Sequence, residues 1–592
     1  MKLLKKPLSV ALLSLPLLLG SLGGSYASAA TLPTTVTPTE PSWGYFVDHY
    51  KNNSAANKTE SSNPTLGLLS EFNKLWTPGA TWDTGTKLNS SVLDANIQKV
   101  IDIAARRTAG EADAAYLDDR RNQSYSIIDG LGSLTDIYRK KAGATTTIND
   151  VPADATTKKY EDEGTNVGDT SSSLGNIVKL VNTLRGDYST TNPAKSYFSY
   201  PRPFRWSDNS VVVPSLIPAL KSDATNDGGF PSGHTNAAYL SSIAMAYAMP
   251  ERYQELLTRA SELGNNRVVA GMHSPLDVMG GRVMATAMAA AILSDPANSS
   301  LKKAAYQDAH TQLLSQKGTA PDRYSNYATN KKNYNERLTY GFSPINPTTK
   351  PMTVPKGAEV LLETRLPYLD STQRRWVLAT TGLPSGYPVL DDAEGWGRLD
   401  LFSAADGYGA FVNNVTVNMD SSKGGFNALD RWRNNISGVG KLTKKGTGTL
   451  ELMGSNTYTG GTQIDQGILE GNSEMAFGRG SVTNNGGTLL KNNSGKLVVS
   501  GNYKQTAKGK LELNLQSKND VLKIKGTAQL NGKLRLNFSN KYVPASGVTV
   551  LTYGKRNGEF SSIEAAGLPS NYKVKVVYTA DRVQLKITKI TK

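Results

Sequence analysis

The stretch Phe230-Pro231-Ser232-Gly233-His234-Thr235 leads directly into an apolar run that continues to Met249. Apolar residues recur there at three- and four-residue spacing, which predicts a helix over residues 234–249. The first backbone N–H groups of a helix have no partner within the helix and attract anions. The stretch therefore predicts a flexible, glycine-rich approach to a helix start that faces a negative charge, with Ser232 as an additional hydroxyl donor.

The segments on either side of this stretch are also mostly helical in pattern. The same spacing predicts helices over residues 92–107, 111–142, 173–185, 251–263 and 276–293, with further helices over 301–316 and, across Pro367, 363–381. Residues 391–398 form an acidic, glycine-rich loop. We therefore expect an all-α bundle within residues 65–435, with its core at about 65–300, preceded by a Thr- and Pro-rich arm over 31–64.

Two more segments carry side chains suited to an oxyanion. One holds Lys195 and, seven residues later, Arg202. The other holds Arg267, His273 and Asp277. Arginine binds phosphate-like oxygens in bidentate fashion and lysine acts as a point charge. Only four histidines occur in the chain, and His234 and His273 both fall in these segments.

The segment around Asp277 has two interpretations. Ser274 can cap a helix that starts at Pro275, and Asp277 is then the acid of a capping box. Asp277 is also close enough in sequence to hydrogen-bond His273 and fix its tautomer. Taken singly, each charged residue of the set has an ordinary structural explanation, but their joint order and spacing favour one site.

These three segments together resemble the motifs of the PAP2 superfamily, and within it those of the bacterial class A non-specific acid phosphatases. The resemblance implies a metal-free phosphatase with no cofactor, in which His273 is the nucleophile, Asp277 orients it and His234 is the acid/base. It also implies that phosphate is bound by Lys195, Arg202, Ser232, Gly233 and Arg267. Asn266 stands where the family usually has serine, which puts the role of that position in doubt.

Two alternatives remain open beside a phosphatase. Vanadium-dependent haloperoxidases resemble the same three motifs, with vanadate in the place of phosphate, although Asp277 and the context of His234 favour the phosphatase. A surface adhesion or wall-binding protein is the other alternative, because the C-terminal part of the chain has a different character.

Residues 436–592 consist of short alternating segments broken by Gly and Asn, which predicts an all-β domain. Strand-like segments fall at 449–452, 462–469, 488–490, 496–500, 510–515 and 533–538. Residues 442–471 resemble the autotransporter-associated β-strand repeat, carrying Lys444-Lys445-Gly446-Thr447-Gly448, Tyr458-Thr459-Gly460-Gly461 and Gly467-Ile468-Leu469. This resemblance implies a right-handed β-helix-like solenoid, and possible cell-wall or surface association through it.

The N-terminus and the composition indicate where the protein acts. Residues 1–30 combine three lysines, a Leu-rich run and Ala27-Ser28-Ala29, the pattern of a cleaved signal peptide. We expect a secreted protein with no membrane span after cleavage. Cysteine is absent, which excludes disulfides and thiol catalysis.

The net charge is +16 and forms no long like-charge run. It fits either an ordinary solvated surface or attraction to anionic material, such as phosphate esters, wall polymers or nucleic acid. Small-molecule phosphate esters are the expected substrates, with no requirement for nucleic acid.

Overall fold

A computed structural model describes residues 31–81, 83–225, 227–539 and 542–590. The predicted signal peptide, residues 1–30, lies outside the described residues. A helical region is followed by a solenoid of parallel strands, as the sequence predicts.

The helical region contains long helices that pack on one another and short helices that connect them. The α-helices before the solenoid are Phe46–His49, Pro64–Leu68, Ser90–Arg106, Ala109–Arg120, Gln123–Ile127, Thr135–Ala142, Gly175–Leu184, Asn192–Phe198, Pro203–Trp206, Gly233–Ala248, Tyr253–Val269, Pro275–Ser294, Ser299–Asp308, Tyr327–Thr339, Ser371–Thr381 and Leu401–Ala404. Three of them surround the candidate site: the His234 helix (Gly233–Ala248), the Arg267 helix (Tyr253–Val269) and the Asp277 helix (Pro275–Ser294).

Two predicted helices are shorter in the structure than in the sequence pattern. Residues 111–142 do not form one helix, because a helix ends at Arg120 and a 3-10 segment, Ile128–Leu134, interrupts the rest. Within that segment Gly132 has a φ of 58°, which an α-helix does not accommodate. Over 363–381 only Ser371–Thr381 is helical, since Asp370 forms a capping box there and fixes the helix start after Pro367.

The Asp277 helix is the centre of the helical core. It is long and apolar enough to cross a membrane by length and composition, but every residue of its apolar window is buried inside the protein. Gly281 allows close packing against the start of the His234 helix, because a Cβ at this position would lie 2.6 Å from the Ser232 carbonyl oxygen. The helix predicted over residues 276–293 is therefore a buried core helix.

The solenoid is built from two seven-stranded parallel sheets and a five-stranded sheet. The first sheet contains Val415–Asn418, Leu442–Lys445, Thr462–Ile464, Val482–Asn484, Tyr503–Gln505, Thr527–Gln529 and Lys555–Asn557. The second contains Leu429–Trp432, Thr449–Leu452, Ile468–Gly471, Thr488–Lys491, Lys510–Leu515, Lys533–Phe538 and Ser562–Ala566. The five-stranded sheet contains Lys496–Val499, Val521–Ile524, Val548–Thr552, Arg582–Lys589 and Tyr572–Tyr578, and its last two strands pair antiparallel. Two short strand pairs, Trp76–Thr77 with Thr86–Lys87 and Ala410–Phe411 with Ser437–Gly438, lie outside these sheets.

Leucines at equivalent positions stack along the solenoid axis and form its core. In the second sheet the parallel register aligns Leu450, Leu469, Leu489, Leu511 and Leu534, all of them buried. Each turn thus buries its apolar side chains against the next turn, which a single turn could not do alone. One predicted strand, 462–469, is in fact two strands in different sheets, separated by Gly467, whose φ is 69°.

Parallel pairing begins before residue 436, where the sequence places the domain boundary. Val415–Asn418 and Leu429–Trp432 already pair with the next solenoid strands. Asp430 takes the place of the stacked leucine in this first turn and accepts a 2.7 Å hydrogen bond from Arg365. The helical region and the solenoid are therefore joined through a buried ion pair and share one core.

Candidate active site

Two helix starts meet at the site. Ser232 caps the His234 helix, and its Oγ accepts a 3.3 Å hydrogen bond from the Thr235 N–H. The Ser232 N–H in turn donates to the Asp277 carbonyl oxygen at 2.9 Å, which ties this start to the first turn of the Asp277 helix. Among the described residues, the N–H groups of Gly233 and His234 have no hydrogen-bond acceptor. The helix therefore starts where the sequence predicts, with free N–H groups of the kind that would face an anion.

His273 is held in one tautomer by Asp277. The His273 Nδ1 lies 3.2 Å from the Asp277 Oδ2, and both side chains are buried. A carboxylate accepts only, so Nδ1 carries the proton and Nε2 carries the lone pair. Asp277 Oδ2 also accepts the Ser274 N–H at 2.8 Å, so the capping box and the orienting contact coexist.

The surrounding groups lower the pKa of His273 and raise that of Asp277, so they favour the neutral form of each side chain. Burial, followed by the charges of Arg202 and Lys195, holds the pKa of His273 well below its ordinary value. Burial raises the pKa of Asp277 to about 6, and its Oδ1 has no hydrogen-bond partner. A neutral, oriented imidazole with its Nε2 unprotonated is the form that a nucleophile requires.

Arg202 donates a hydrogen bond to the unprotonated nitrogen of His273. Its Nη1 is 3.0 Å from the His273 Nε2 and donates to the Met272 carbonyl oxygen at 2.9 Å. Its Nε donates to Asp227 Oδ1 at 2.7 Å, and the other Asp227 oxygen accepts from Arg205 at 2.8 Å. The guanidinium is therefore fixed beside the atom that would attack phosphorus.

Lys195 is partly buried and faces the backbone of Gly228 and Gly229. Its Nζ donates to the Gly228 carbonyl oxygen at 2.6 Å. Burial, followed by the charge of Arg202, holds the pKa of Lys195 well below its ordinary value. A bound anion would favour the protonated form of Lys195, because its negative charge would offset the repulsion from Arg202.

The spacing between Arg267 and His273 follows from the end of the Arg267 helix. The chain turns at Gly271, whose φ is 73°, and the His273 N–H donates back to the Arg267 carbonyl oxygen at 3.1 Å. A Cβ at Gly271 would lie 2.3 Å from the Val211 carbonyl oxygen, so the turn requires glycine. Five intervening residues thus return the chain to the same end of the helix.

Asp119 holds the other two site residues from a neighbouring helix, Ala109–Arg120. Its carboxylate forms a buried ion pair with Arg267, and its carbonyl oxygen lies 3.1 Å from the His234 Nε2. Because a carbonyl only accepts, the His234 Nε2 is protonated and Nδ1 is left as the acid/base atom. Burial, followed by the charge of Arg267, lowers the pKa of His234 to about 3.

Asn266 has a structural partner that accounts for its position. Its Nδ2 donates to Asp118 Oδ2 at 2.7 Å, and the same carboxylate pairs with Arg259. All three side chains are buried. The amide therefore supports the neighbouring Asp119–Arg267 pair from the adjacent position on each helix.

A cavity of about 160 Å³ opens onto these groups. Its lining includes the site residues His234, Arg202 and Arg267, together with Arg120, Lys159, Glu161, Lys221, Phe204 and Leu220. A second cavity of about 690 Å³ lies on the far side of Asp227 and includes Lys195. Among the described residues no cluster of three or more His, Asp or Glu side chains could hold a metal ion.

The structure brings all eight predicted site residues together, and it adds Asp119 and Asp227, which the sequence analysis did not identify. Both are acids that hold an arginine of the site. Asp227 stands only three residues before Phe230, so its nearness to the motif was a usable signal. Asp119 is followed by Arg120 in an ordinary charged helix end, and nothing in the sequence distinguishes it.

Replacing Asp119 with asparagine tests the ion pair that it forms with Arg267. Burial opposes ionisation of Asp119, but Arg267 outweighs it and lowers its pKa to about 2. Losing the charge leaves Arg267 buried without a counter-ion, so we expect the free energy of unfolding at pH 7 to fall by about 3 kcal/mol. The loss should shrink as pH drops from 4 towards 2, where wild-type Asp119 itself becomes protonated.

Chemical denaturation at pH 7 and pH 3 measures both effects. Asp113→Asn, at an exposed position of the same helix, is the matched control and should leave the stability unchanged. Equal stability of Asp119→Asn and wild type at pH 7 would contradict the role assigned to the ion pair.

Comparison with known proteins places both parts of the chain. Residues 176–300 match the model of the PAP2 superfamily, and residues 442–470 match the passenger-associated-transport-repeat. The chain is 36% identical over 124 residues to a non-specific acid phosphatase of Salmonella typhi, covering 21% of this chain and 46% of that protein.

Proteins with autotransporter names are also similar. The autotransporter lipoprotein NalP of Neisseria meningitidis is 30% identical over 241 residues, covering 36% of this chain and 22% of NalP. An extracellular serine protease of Serratia marcescens is 30% identical over 179 residues, covering 24% of this chain and 17% of the protease. The chain thus spans less than half the length of each of these relatives.

Both resemblances inferred from the sequence are confirmed. The PAP2 match contains all eight predicted site residues, whereas Asp119 lies outside it. The chain therefore contains a PAP2 superfamily domain, at residues 176–300, and a passenger-associated-transport-repeat, at residues 442–470.

Proposed function

We propose that the chain is a phosphatase that hydrolyses small-molecule phosphate monoesters through a phosphohistidine, without a metal ion. One observation carries the proposal: the unprotonated Nε2 of His273, fixed by Asp277 on the other side of the ring, contacts Arg202, which lines a cavity together with Arg267 and His234. The PAP2 match and the acid phosphatase relatives support a phosphatase.

In the first step the His273 Nε2 attacks phosphorus and the bond from phosphorus to the leaving oxygen breaks. Arg202, Arg267, Lys195 and the N–H groups of Gly233 and His234 surround the position where negative charge develops. Asp277 stabilises the positive charge that forms on the imidazole ring. His234 donates the proton from Nδ1 to the leaving alkoxide.

In the second step water attacks phosphorus and the bond from phosphorus to nitrogen breaks. The His234 Nδ1 takes the proton of this water and so regains its starting form. After burial, the charges that depress the pKa of His234 are mainly those of Arg267 and Arg202. A bound phosphate dianion neutralises these charges and therefore raises the pKa of His234 towards the range where it can donate.

The site of action follows from the C-terminal part of the chain. The passenger-associated-transport-repeat and the similarity to autotransporter and extracellular proteins support a surface or extracellular location. Secretion through residues 1–30 is part of the same proposal.

Hydrolysis of p-nitrophenyl phosphate tests the proposal directly. The full-length chain should release nitrophenol at the same rate with and without EDTA, and vanadate should inhibit it. Bromide oxidation by peroxide in the presence of vanadate is the discriminating assay for a haloperoxidase. Bromide oxidation without any ester hydrolysis would replace the proposed function with that alternative.

A further inference from the structure

The net charge of the chain is concentrated in the solenoid. Residues 436–592 contain 23 Lys and Arg but only nine Asp and Glu, a net +14, whereas residues 31–435 contain 40 and 41, a net −1. The helical region that carries the candidate active site is therefore nearly neutral overall. The excess positive charge needs an explanation in the solenoid itself.

The five-stranded sheet presents this charge on one side. Its strands contain seven Lys and Arg and no Asp or Glu. Side chains alternate between the two faces of a strand, and six of the seven cations occupy exposed outward positions. The inward positions are mainly apolar or aromatic, and the exception is Lys589, which pairs with Tyr572. We call the outward cations the basic face: Lys496, Lys523, Lys573, Lys575, Arg582 and Lys586.

Cations on the neighbouring seven-stranded sheet differ from those of the basic face, because they form ion pairs with acidic side chains. Lys510 lies 2.7 Å from Glu512, Lys533 lies 2.7 Å from Glu564, and Arg431 lies 2.6 Å from Glu451. On the basic face, among the described residues, only Arg582 has an acidic partner, Asp581 at 2.6 Å. The five lysines of the basic face therefore keep their charge uncompensated by the protein.

Two of these lysines are placed directly opposite each other. Lys575 and Lys586 are Cα partners in the antiparallel pair at the end of the solenoid, and both side chains are exposed on the same face. Like charges in this position repel and destabilise the sheet. An external anion between them would remove that repulsion.

The cations spread over a surface and do not follow a line. The register aligns Lys523, Thr552 and Arg582 across three strands, and Lys575 and Lys586 lie about four residues further along. Five strands span roughly 20 Å at the usual strand spacing. Val577, 37% exposed, lies on the same face, whereas Tyr572 and Tyr578 have the opposite parity and offer no outward ring for base stacking.

We propose that the basic face docks the protein on a bilayer surface rich in anionic phosphate headgroups. A two-dimensional array of lysines with an exposed valine matches a plane of headgroups better than a single linear polyanion. Docking is separate from the chemistry at His273 and holds the helical region beside the surface. The proposal therefore stands or falls independently of the phosphatase activity.

Vesicle co-sedimentation of the full chain tests the proposal. The vesicles are phosphatidylcholine alone, or phosphatidylcholine with one-quarter phosphatidylglycerol, a phosphodiester, and inorganic phosphate is added to fill the catalytic cavity. We expect binding to the anionic vesicles alone, and loss of binding in high salt. The triple variant Lys573→Gln, Lys575→Gln and Lys586→Gln should bind about a hundredfold more weakly, or about fivefold for each lysine.

The matched control removes the same charge from the other sheet: Lys510→Gln, Lys533→Gln and Arg535→Gln. It should bind nearly as well as wild type, and circular dichroism should show that both variants fold. Equal weakening of the two variants would mean attraction by net charge alone and would overturn the proposal. So would wild-type protein that ignores anionic vesicles, or release from them by duplex DNA at equal phosphate concentration, which would identify a linear polyanion as the partner.

Discussion

His273→Ala is expected to lower kcat for p-nitrophenyl phosphate by about a thousandfold or more, because it removes the atom that attacks phosphorus. The cations and helix starts remain in that variant, so substrate should still bind with a KM or Kd near the wild-type value. Steady-state kinetics and equilibrium binding of phosphate measure the two quantities separately.

His310→Ala is the matched control for this variant. His310 bonds to Glu251 at 3.0 Å and stacks on Tyr306, outside the cavity. It should leave kcat unchanged, whereas a His273→Ala enzyme with wild-type kcat would remove His273 from the mechanism.

Asp277→Asn is expected to separate activity from stability. The amide cannot supply the negative charge that stabilises the positively charged imidazole of the intermediate, so kcat should fall about a hundredfold or more. The same change relieves the buried carboxylate, whose Oδ1 has no partner. The variant should therefore unfold less readily than wild type at pH 7.

The pH dependence of this stabilisation follows from the sign of the pKa shift. Burial raises the pKa of Asp277 from 3.8 to about 6, so the folded state prefers the protonated form. Wild-type stability from this group is present below pH 4 and is lost as pH rises from 4 to 6. Two pKa units correspond to about 3 kcal/mol, so the advantage of Asp277→Asn should be on the order of 1–3 kcal/mol above pH 6 and near zero at pH 4.

Denaturant unfolding at pH 4 and pH 7 measures the difference. An Asp277→Asn protein that is less stable than wild type at pH 7 would show that the capping contribution of the carboxylate outweighs its burial. Unchanged kcat would remove Asp277 from its orienting role.

Most of the site could be predicted from the sequence because each motif is local. His234 and Asp277 fall in the first turns of two helices whose caps, Ser232 and Ser274, are themselves readable from the sequence. Asp119 could not be predicted, since it reaches Arg267 across 148 residues by tertiary packing alone. The role of Asn266 could not be predicted either, because its hydrogen-bond partner, Asp118, is distant in the sequence.

The fold class could be predicted from the sequence, but the interruption of one helix and the start of the solenoid could not. The pattern over residues 111–142 keeps its apolar spacing through Gly132, so periodicity alone did not reveal the interruption there. Val415–Asn418 and Leu429–Trp432 lack the repeat's glycine pattern, because their outer neighbours are the helical region and not another turn. Their pairing is decided by tertiary contacts such as that of Asp430 with Arg365.

The charge of the solenoid, too, could be predicted only in part from the sequence. Its amount can be counted from the sequence, but the strand register decides which lysines share a face. That Lys575 opposes Lys586 depends on the pairing of two strands whose connecting residues carry no strong turn signal. Only the structure separates the paired cations of one sheet from the unpaired cations of the other.

Trapping the phosphorylated enzyme tests the central claim most directly. The full chain is mixed with p-nitrophenyl phosphate, quenched in alkali within a turnover, digested, and analysed by mass spectrometry under conditions that preserve phosphohistidine. We predict one phosphoryl group on the peptide that contains His273, with more of it in His234→Ala, where the proton acceptor for water is missing. Ester hydrolysis without a phosphorylated enzyme, or with the phosphoryl group on another residue, would contradict the account.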